Sequence, residues 1–439
     1  NDGLSMTDFF FLYLLNSIVL ISGFISGLIK KRVYSIFWLS LLAFHLASLI
    51  DLSYLMDNHS MSTLVYGQEM MMGGNIVLFL MVVFLDYFIL QQNLNPDNNI
   101  AYQHEERDIN KYIYFIILLF IVSFSIRFRE GMSVLYISWE EFRETSGMID
   151  SFANMLGFIS APVLWMVMKK RNYFLILIFV LLLLLQIQLS GSRALLLVLG
   201  CSIFLTLINS SYSYVKKISI MAFFGFFMFL VHTILRITRG LSIVGLIVAL
   251  NTGFQGVSID SMDISGGESK IYSYYYYMLE NDSDEYPYKS AVTLKRIGLL
   301  YLPTNIFPNI KPEDLTYQLW KDWVNEDVYL SKLFQYIEIP GSLHPVLWGD
   351  AYMNAGPLGI ILYSLLFGFI VISMECFLKN FSSFGFDAIA PIVAVGYMMI
   401  GRGNVVIGIG YIGYIIPIIL LIMYMLRIKM FRLRTVKVF

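Results

Sequence analysis

Charge is scarce in this chain. Lysine, arginine, aspartate and glutamate make up 14% of its 439 residues, against 58% hydrophobic residues and a mean hydropathy of +0.69. Those proportions exclude an ordinary water-soluble globular domain. Cysteine is nearly missing. The two present, Cys201 and Cys376, fall in or at the edge of apolar runs, so no disulfide framework and no metal-ligand spacing is expected. The net charge of -1 names no partner, and nothing points to nucleic acid. No cleavable leader pattern precedes the first apolar run, which follows an acidic, lysine-free start and reads as a retained span. No internal repeat is visible, which argues against an inverted-repeat transporter.

What the chain has in abundance is long apolar runs. Runs of about 20 apolar residues are long enough to cross a bilayer as helices. They predict an all-α polytopic membrane protein with about eleven spans, in the range 10–12. The expected spans are 8–29, 33–56, 70–90, 112–126, 151–168, 172–190, 194–212, 218–235, 356–378, 385–401 and 405–427. Basic clusters then orient them, because cytoplasmic loops collect lysine and arginine. Lys30–Arg32, Lys169–Arg171, Lys216–Lys217 and the tail "RIKMFRLRTVKVF" alternate onto one side, while "DNHSMSTLVYGQEM" falls on the other without a single Lys or Arg. The N-terminus is therefore expected outside and the C-terminus inside. Three regions follow: spans one to eight over 1–235, one large outer loop over 236–355, and the last three spans with the basic tail over 356–439.

Some cations violate that bias. Arg193 lies in the short outer turn "SGSR", Arg236 and Arg239 in "LRITRG" at the end of span eight, and Arg402 in the outer turn "GRGN". If the helix persists, Arg236 and Arg239 share a face. A single arginine at a span end can simply snorkel to the interface. Four at one depth suggest a common anion. Guanidinium is a planar, permanently charged fork suited to phosphate. Fixed cations can stabilise a departing pyrophosphate, and a divalent metal could serve equally. The D-x-D of Asp282 and Asp284, and Asp260 with Asp263, read more simply as an acidic solvated loop, so no metal and no cofactor is expected.

The stretch "GSLHPVLWGDAYMNAGPLG", 341–359, carries the remaining chemistry. A transferase must take a proton from the attacking hydroxyl. His344 and Asp350 are the base candidates, with Glu338 just upstream. His344 precedes a proline and is expected in extended or turn conformation, and its ordinary pKa suits the task. Asp350 and Asn354 would share a helix face, and an Asp at a helix start is also a good cap. Glu338, Tyr352 and Asn354 are candidates for holding sugar. Lys295 and Arg296 either pair with loop carboxylates or form a second phosphate contact for the acceptor lipid. The tyrosines of "IYSYYYYMLE", 271–280, and Trp320, Trp323 and Trp348 suit either sugar rings or the membrane interface. Asp51 and Asp86 sit near predicted span ends.

The outer "SGSR", the R-x-x-R-G after span eight, the large outer loop, the "HPVLWGDAYMNAGPLG" leading into a span and the late "GRGN" together resemble Wzy-type repeat-unit polymerases of bacterial O-antigen and capsule. Where that group often has Glu this chain has Asp350, one methylene shorter, and Ala355 replaces an aromatic. The resemblance implies a metal-independent inverting transferase of the C-type membrane glycosyltransferase architecture in the bacterial inner membrane. Its substrates would be undecaprenyl-pyrophosphate-linked oligosaccharides, drawn from membrane lipid, and its partners a Wzz-type co-polymerase and a Wzx-type flippase. An O-antigen ligase of the same architecture, a flippase or transporter for the same lipid, and a metal-dependent membrane glycosyltransferase are the alternatives. Arg193→Ala is expected to remove most of the polymer, and Arg193→Lys, which keeps charge but not the fork, a substantial part of it. Unchanged ladders of polymer length on a gel for both variants would refute the role.

Overall fold

The computed structural model describes residues 5–90, 105–127, 148–190, 195–237, 271–280, 291–302, 310–312 and 344–428, with isolated positions 245, 247, 248, 251, 252, 315, 316 and 318. Every principal element among them is helical. The helices are α1 (Met6–Ile29), α2 (Ser35–Ala47), α3 (Leu52–Asn58), α4 (Met61–Leu85), α5 (Glu105–Arg127), α6 (Met148–Lys169) and α7 (Tyr173–Ser190). They continue with α8 (Leu195–Asn209), α9 (Tyr214–Ile237), α10 (Ile271–Glu280), α11 (Val292–Gly298), α12 (Val346–Lys379), α13 (Ser383–Gly401) and α14 (Val405–Met425). A 3-10 turn, Ser48–Asp51, joins α2 to α3, and a π-helical turn, Asp86–Leu90, extends α4. Five segments are long and apolar enough to cross a bilayer: Met6–Ile29, Met61–Leu90, Val346–Lys379, Ser383–Gly401 and Val405–Met425. This is a membrane-embedded all-α protein.

Several helices begin earlier than apolar periodicity alone suggests. The third expected span starts at residue 70, yet α4 starts at Met61. Ser60 caps it through Thr63 N at 3.2 Å. The polar "MSTLVYGQ" is helical because its partners lie inside the protein. Gln68 is buried, receives Asn16 Nδ2 at 2.8 Å, and donates to Tyr276 Oη at 2.7 Å. Likewise α12 begins ten residues before its expected span.

The chain forms two compact units. The first comprises 1–94, 265–376 and 396–412. Here α1 packs on α2 and α4. Lipid tails are as apolar as leucine, so association inside a membrane relies on close packing and on hydrogen bonds of about 0.6 kcal/mol each. Both devices are present. A Cβ on Gly23 would lie 2.6 Å from Trp38 Cε2, so only hydrogen fits between the two helices. Asn16 joins Gln68 on one side and receives Asn75 Nδ2 at 3.0 Å on the other. The tyrosine-rich α10 packs on α4, and four of its five tyrosines are structural anchors rather than an exposed sugar platform. Tyr272, Tyr274, Tyr275 and Tyr276 are buried, and Tyr275 donates to Gly67 O at 3.1 Å. Glu280 accepts from Ser60 N at 2.7 Å and lies 2.9 Å from His59 Nδ1, which latches the end of α10 to the start of α4.

At the opposite end of α4, a charged cluster closes the turn between α1 and α2. Lys30 and Arg32 both pair with Asp86, the latter at 3.2 Å. Glu375 of α12 accepts from Tyr34 N at 2.7 Å. The basic turn "KKR", which orients the chain in the sequence, thus also ties α1 and α2 to α4.

The second unit comprises 95–264, 377–395 and 413–439. Helix α6 packs against α5, α7 and α8, and α8 against α9. Its clearest polar tie repeats the logic of the first unit. Asp387 accepts from Lys169 Nζ at 2.7 Å and from Trp165 Nε1 at 3.0 Å.

Removing one partner of a buried ion pair strands the other, at about 3 kcal/mol or more. The Asp86 side chain is fully buried, Arg32 is 11% exposed and Lys30 is 30% exposed. Asp86→Ala is therefore expected to lower the melting temperature in detergent most, Arg32→Met less, and Lys30→Met least. An equal, negligible effect for all three would remove the cluster from any structural role.

Candidate functional site

The first unit brings the stretch 344–363 together with the turn 401–404 and with α11. The amino-terminal part of α12, from Val346 to Asn354, is a short helical hook. At Ala355 and Gly356 the backbone leaves helical geometry, with Gly356 at φ 60° and ψ -149°, and then resumes through Pro357. That combination is open to glycine at little cost and strained for other residues. The sequence places Gly-Pro here as the start of a span, and the second part of α12 does begin there.

The hook is almost wholly buried. Trp348 is 3% exposed, and its ring fills the space that a side chain on Gly74 would need. It is a packing anchor of the first unit. Trp320 and Trp323 lie outside the described residues.

Asp350 is 1% exposed. A carboxylate so placed must be supplied with donors. Its Oδ1 accepts from Tyr363 Oη at 2.7 Å and Asn354 Nδ2 at 3.1 Å, and its Oδ2 from Thr293 Oγ1 at 3.1 Å. Asn354 in turn accepts Thr293 N at 2.9 Å on its side chain and Ala291 N at 3.0 Å on its carbonyl. The start of α11 is thereby stapled to the hook. Asp350 and Asn354 share a face, as their spacing predicts, but Asp350 lies inside the hook rather than at its cap. Tyr352 is buried beside them.

His344 immediately precedes the hook and is 8% exposed. Arg402 occupies the turn between α13 and α14. Gly403 of that turn has φ 92°, and a Cβ there would stand 2.6 Å from Val346 N. The turn therefore lies directly on the root of the hook, two residues from His344. Burial, and then the neighbouring Arg402 guanidinium, push the His344 pKa well below its ordinary value. Both effects favour the neutral form of the imidazole.

Of the other expected residues, Lys295 and Arg296 lie on α11. Lys295 is exposed, and Arg296 donates through Nη1 to Pro312 O at 2.6 Å. Arg193, Arg239 and Glu338 lie outside the described residues, as do Asp260, Asp263, Asp282 and Asp284. Arg236 is on α9 in the second unit, its side chain outside the described part. Two residues escaped the sequence reading. Tyr363 looks like one more aromatic in an apolar span, though a hydroxyl thirteen positions after a buried Asp was a usable signal. Thr293 carried none, since its contact depends on the loop folding back.

No family model, curated protein or solved structure matches the chain.

The burial of His344 has a thermodynamic consequence. A histidine held neutral in the folded state binds fewer protons than the unfolded chain. Its contribution to stability is complete above the ordinary value of about 6.5 and is lost as pH falls below it. His344→Gln should therefore reduce the drop in melting temperature between about pH 6.5 and pH 5. An identical acid slope in variant and wild type would show that the imidazole is not held neutral.

Proposed function

We propose that this protein is a repeat-unit polymerase acting on lipid-pyrophosphate-linked oligosaccharides at the outer face of a bacterial inner membrane. In this reading the chain crosses the membrane about eleven times and holds its large loop outside. The observation that carries the proposal is the seating of the Arg402 turn on the root of the hook, two residues from buried His344. Two further features support it: the resemblance of the outer turns to Wzy-type polymerases, and Lys295 and Arg296 on the helix stapled to the same hook. Arg193, Arg236 and Arg239 enter from the sequence alone, as further outer-face cations for pyrophosphate.

The chemistry follows from elementary steps. The hydroxyl oxygen of the acceptor sugar attacks the anomeric carbon of the donor. The bond from that carbon to the pyrophosphate oxygen breaks, and the electron pair leaves with the lipid pyrophosphate. The hydroxyl proton passes to a base. His344 suits that role because it is neutral and borders the cation that would meet the leaving group. Arg402 stabilises the charge that develops on the departing oxygen. Asp350 already serves Thr293, Tyr363 and Asn354, so it is assigned to positioning.

The two groups are coupled. While Arg402 is without an anion it depresses the basicity of His344. A pyrophosphate bound to Arg402 cancels that effect and makes the imidazole a better base when the donor is in place.

The test is elongation by the purified full-length chain in proteoliposomes, given a synthetic lipid-pyrophosphate oligosaccharide and excess EDTA. A ladder of products is expected. Arg402→Ala should lower turnover about 10²- to 10³-fold, and His344→Ala about 10²- to 10⁴-fold. The acid limb of kcat should lie at higher pH than that of kcat/KM, since kcat reports the substrate-bound enzyme. Movement of lipid between leaflets without lengthening would overturn the proposal in favour of a transporter. A single transfer of polymer to lipid A–core would do so in favour of a ligase.

A further inference from the structure

Three chemistry-bearing side chains of the first unit meet without taking part in the reaction proposed above. His59 stands just before α4, while Ser273 and Glu280 both lie on α10, two turns apart on one face. His59 Nδ1 lies 2.9 Å from Glu280 Oε2, and His59 Nε2 lies 3.1 Å from Ser273 Oγ. An ionised carboxylate can only accept, so Nδ1 carries the proton, and the bare Nε2 of a neutral ring accepts from the Ser273 hydroxyl. Glu280 is aimed by a second bond. Its other oxygen accepts from Ser60 N at 2.7 Å at the start of α4, where a helix favours negative charge. Close packing fixes the register of α10 on α4. Tyr275 donates to Gly67 O at 3.1 Å, and a Cβ on Gly67 would stand 2.6 Å from the Tyr276 ring. Latching the two helices needs only the Glu280 bonds. The Ser273 bond, on the opposite ring nitrogen, completes an ordered chain of hydroxyl, imidazole and carboxylate.

We infer that Ser273, His59 and Glu280 form a nucleophilic catalytic site that hydrolyses esters of small carboxylic acids. The inference stands without the polymerase reading. Such a constellation is recognised by geometry and roles rather than by order along the chain, which here runs His, Ser, Glu. A serine hydroxyl is a weak nucleophile until an adjacent base takes its proton. Ser273 Oγ attacks the carbonyl carbon of the ester, and its proton passes to His59 Nε2. The bond from that carbon to the alcohol oxygen then breaks, and the departing oxygen takes the proton from Nε2. The acyl group is left on Oγ. Water attacks the same carbon, gives a proton to Nε2, and Oγ leaves with that proton as the acid is released. Glu280 is the positioning residue, because it holds the ring in the tautomer whose Nε2 can accept. Ser273 is the third residue of α10, so negative charge on the carbonyl oxygen builds up at the positive end of that helix. Enclosure sets the size of the substrate. Ser273 is 7% exposed, and the Tyr276 ring stands 5.8 Å from the imidazole. A hydroxyl so enclosed admits a short acyl group and not a long chain.

Covalent labelling tests this with the full-length protein in nanodiscs. The probe is a small alkyl fluorophosphonate, and peptide mass spectrometry locates the adduct. Labelling of Ser273 is expected in the wild type, together with hydrolysis of p-nitrophenyl acetate. Ser273→Ala removes one oxygen and should abolish both. His59→Gln should slow labelling and hydrolysis about 10²- to 10⁴-fold. Glu280→Gln still accepts from Ser60 N but donates to Nδ1, which leaves Nε2 with the proton. It should lower kcat and leave KM within about twofold, whereas loss of a mere latch would lower the melting temperature and not kcat of the folded fraction. A wild type whose Ser273 is never labelled would overturn the inference and leave the three residues as a latch, a result that needs no variant to fold. Hydrolysis undiminished in Ser273→Ala, or labelling at the wild-type rate in folded His59→Gln, would overturn it as well.

Discussion

A carboxylate shut away at the mouth of an apolar helix stays there only if the protein surrounds it with donors. Asp350 is such a group, and one end of the first unit is organised around it. Tyr363 reaches it from the far side of the break in α12, Asn354 from one turn along the hook, and Thr293 from a helix more than fifty residues earlier in the chain. Each hydrogen bond to a charged group contributes about 1.5–3 kcal/mol, and the ion itself would be far costlier to bury alone. The same contacts therefore decide three things together: the kink at Gly356, the docking of α11, and the position of His344 beside the 401–404 turn.

The remaining polar groups of the first unit obey the same constraint. Asn16, Gln68 and Asn75 satisfy one another inside the bundle and pass the chain of hydrogen bonds to Tyr276. Asp86 gathers Lys30 and Arg32 where α1 turns into α2. In a bilayer nothing apolar drives helices together, so these few polar ties and the tight glycine contacts hold the helices in one arrangement. A site assembled at the end of such a bundle inherits its rigidity. That matters for the proposed glycosyl transfer, in which a hydroxyl, an anomeric carbon and a leaving oxygen must be aligned.

Much of the helical framework was legible in the sequence. Apolar runs of the right length marked the helices, and Gly356-Pro357 marked a span start, because both signals are local. Boundaries were less legible where polar residues continue a helix. The start of α4 read as loop, since Gln68 and its neighbours look solvated until their buried partners are known. The tyrosines of α10 looked equally suited to sugar, to interface and to core, and packing on α4 made them core. His344 and Asp350 could not be separated by residue type or spacing. In the proposed reading, the hydrogen bonds that Asp350 accepts from Thr293, Tyr363 and Asn354 assign it to positioning, and His344 is the base.

By itself, then, the sequence determined that this chain lives in a membrane and where most of its helices run. Those properties depend on hydropathy, charge and spacing along the chain. Only the tertiary structure decided that Thr293 and Tyr363 belong to the site, that Arg402 stands beside His344, and that Asp350 is a fastener at the heart of the hook. Those pairings join residues from 13 to 58 positions apart. Hydrogen bonds and electrostatics act through distance in space, and the path by which the chain returns to the same place is set by packing that no local pattern records.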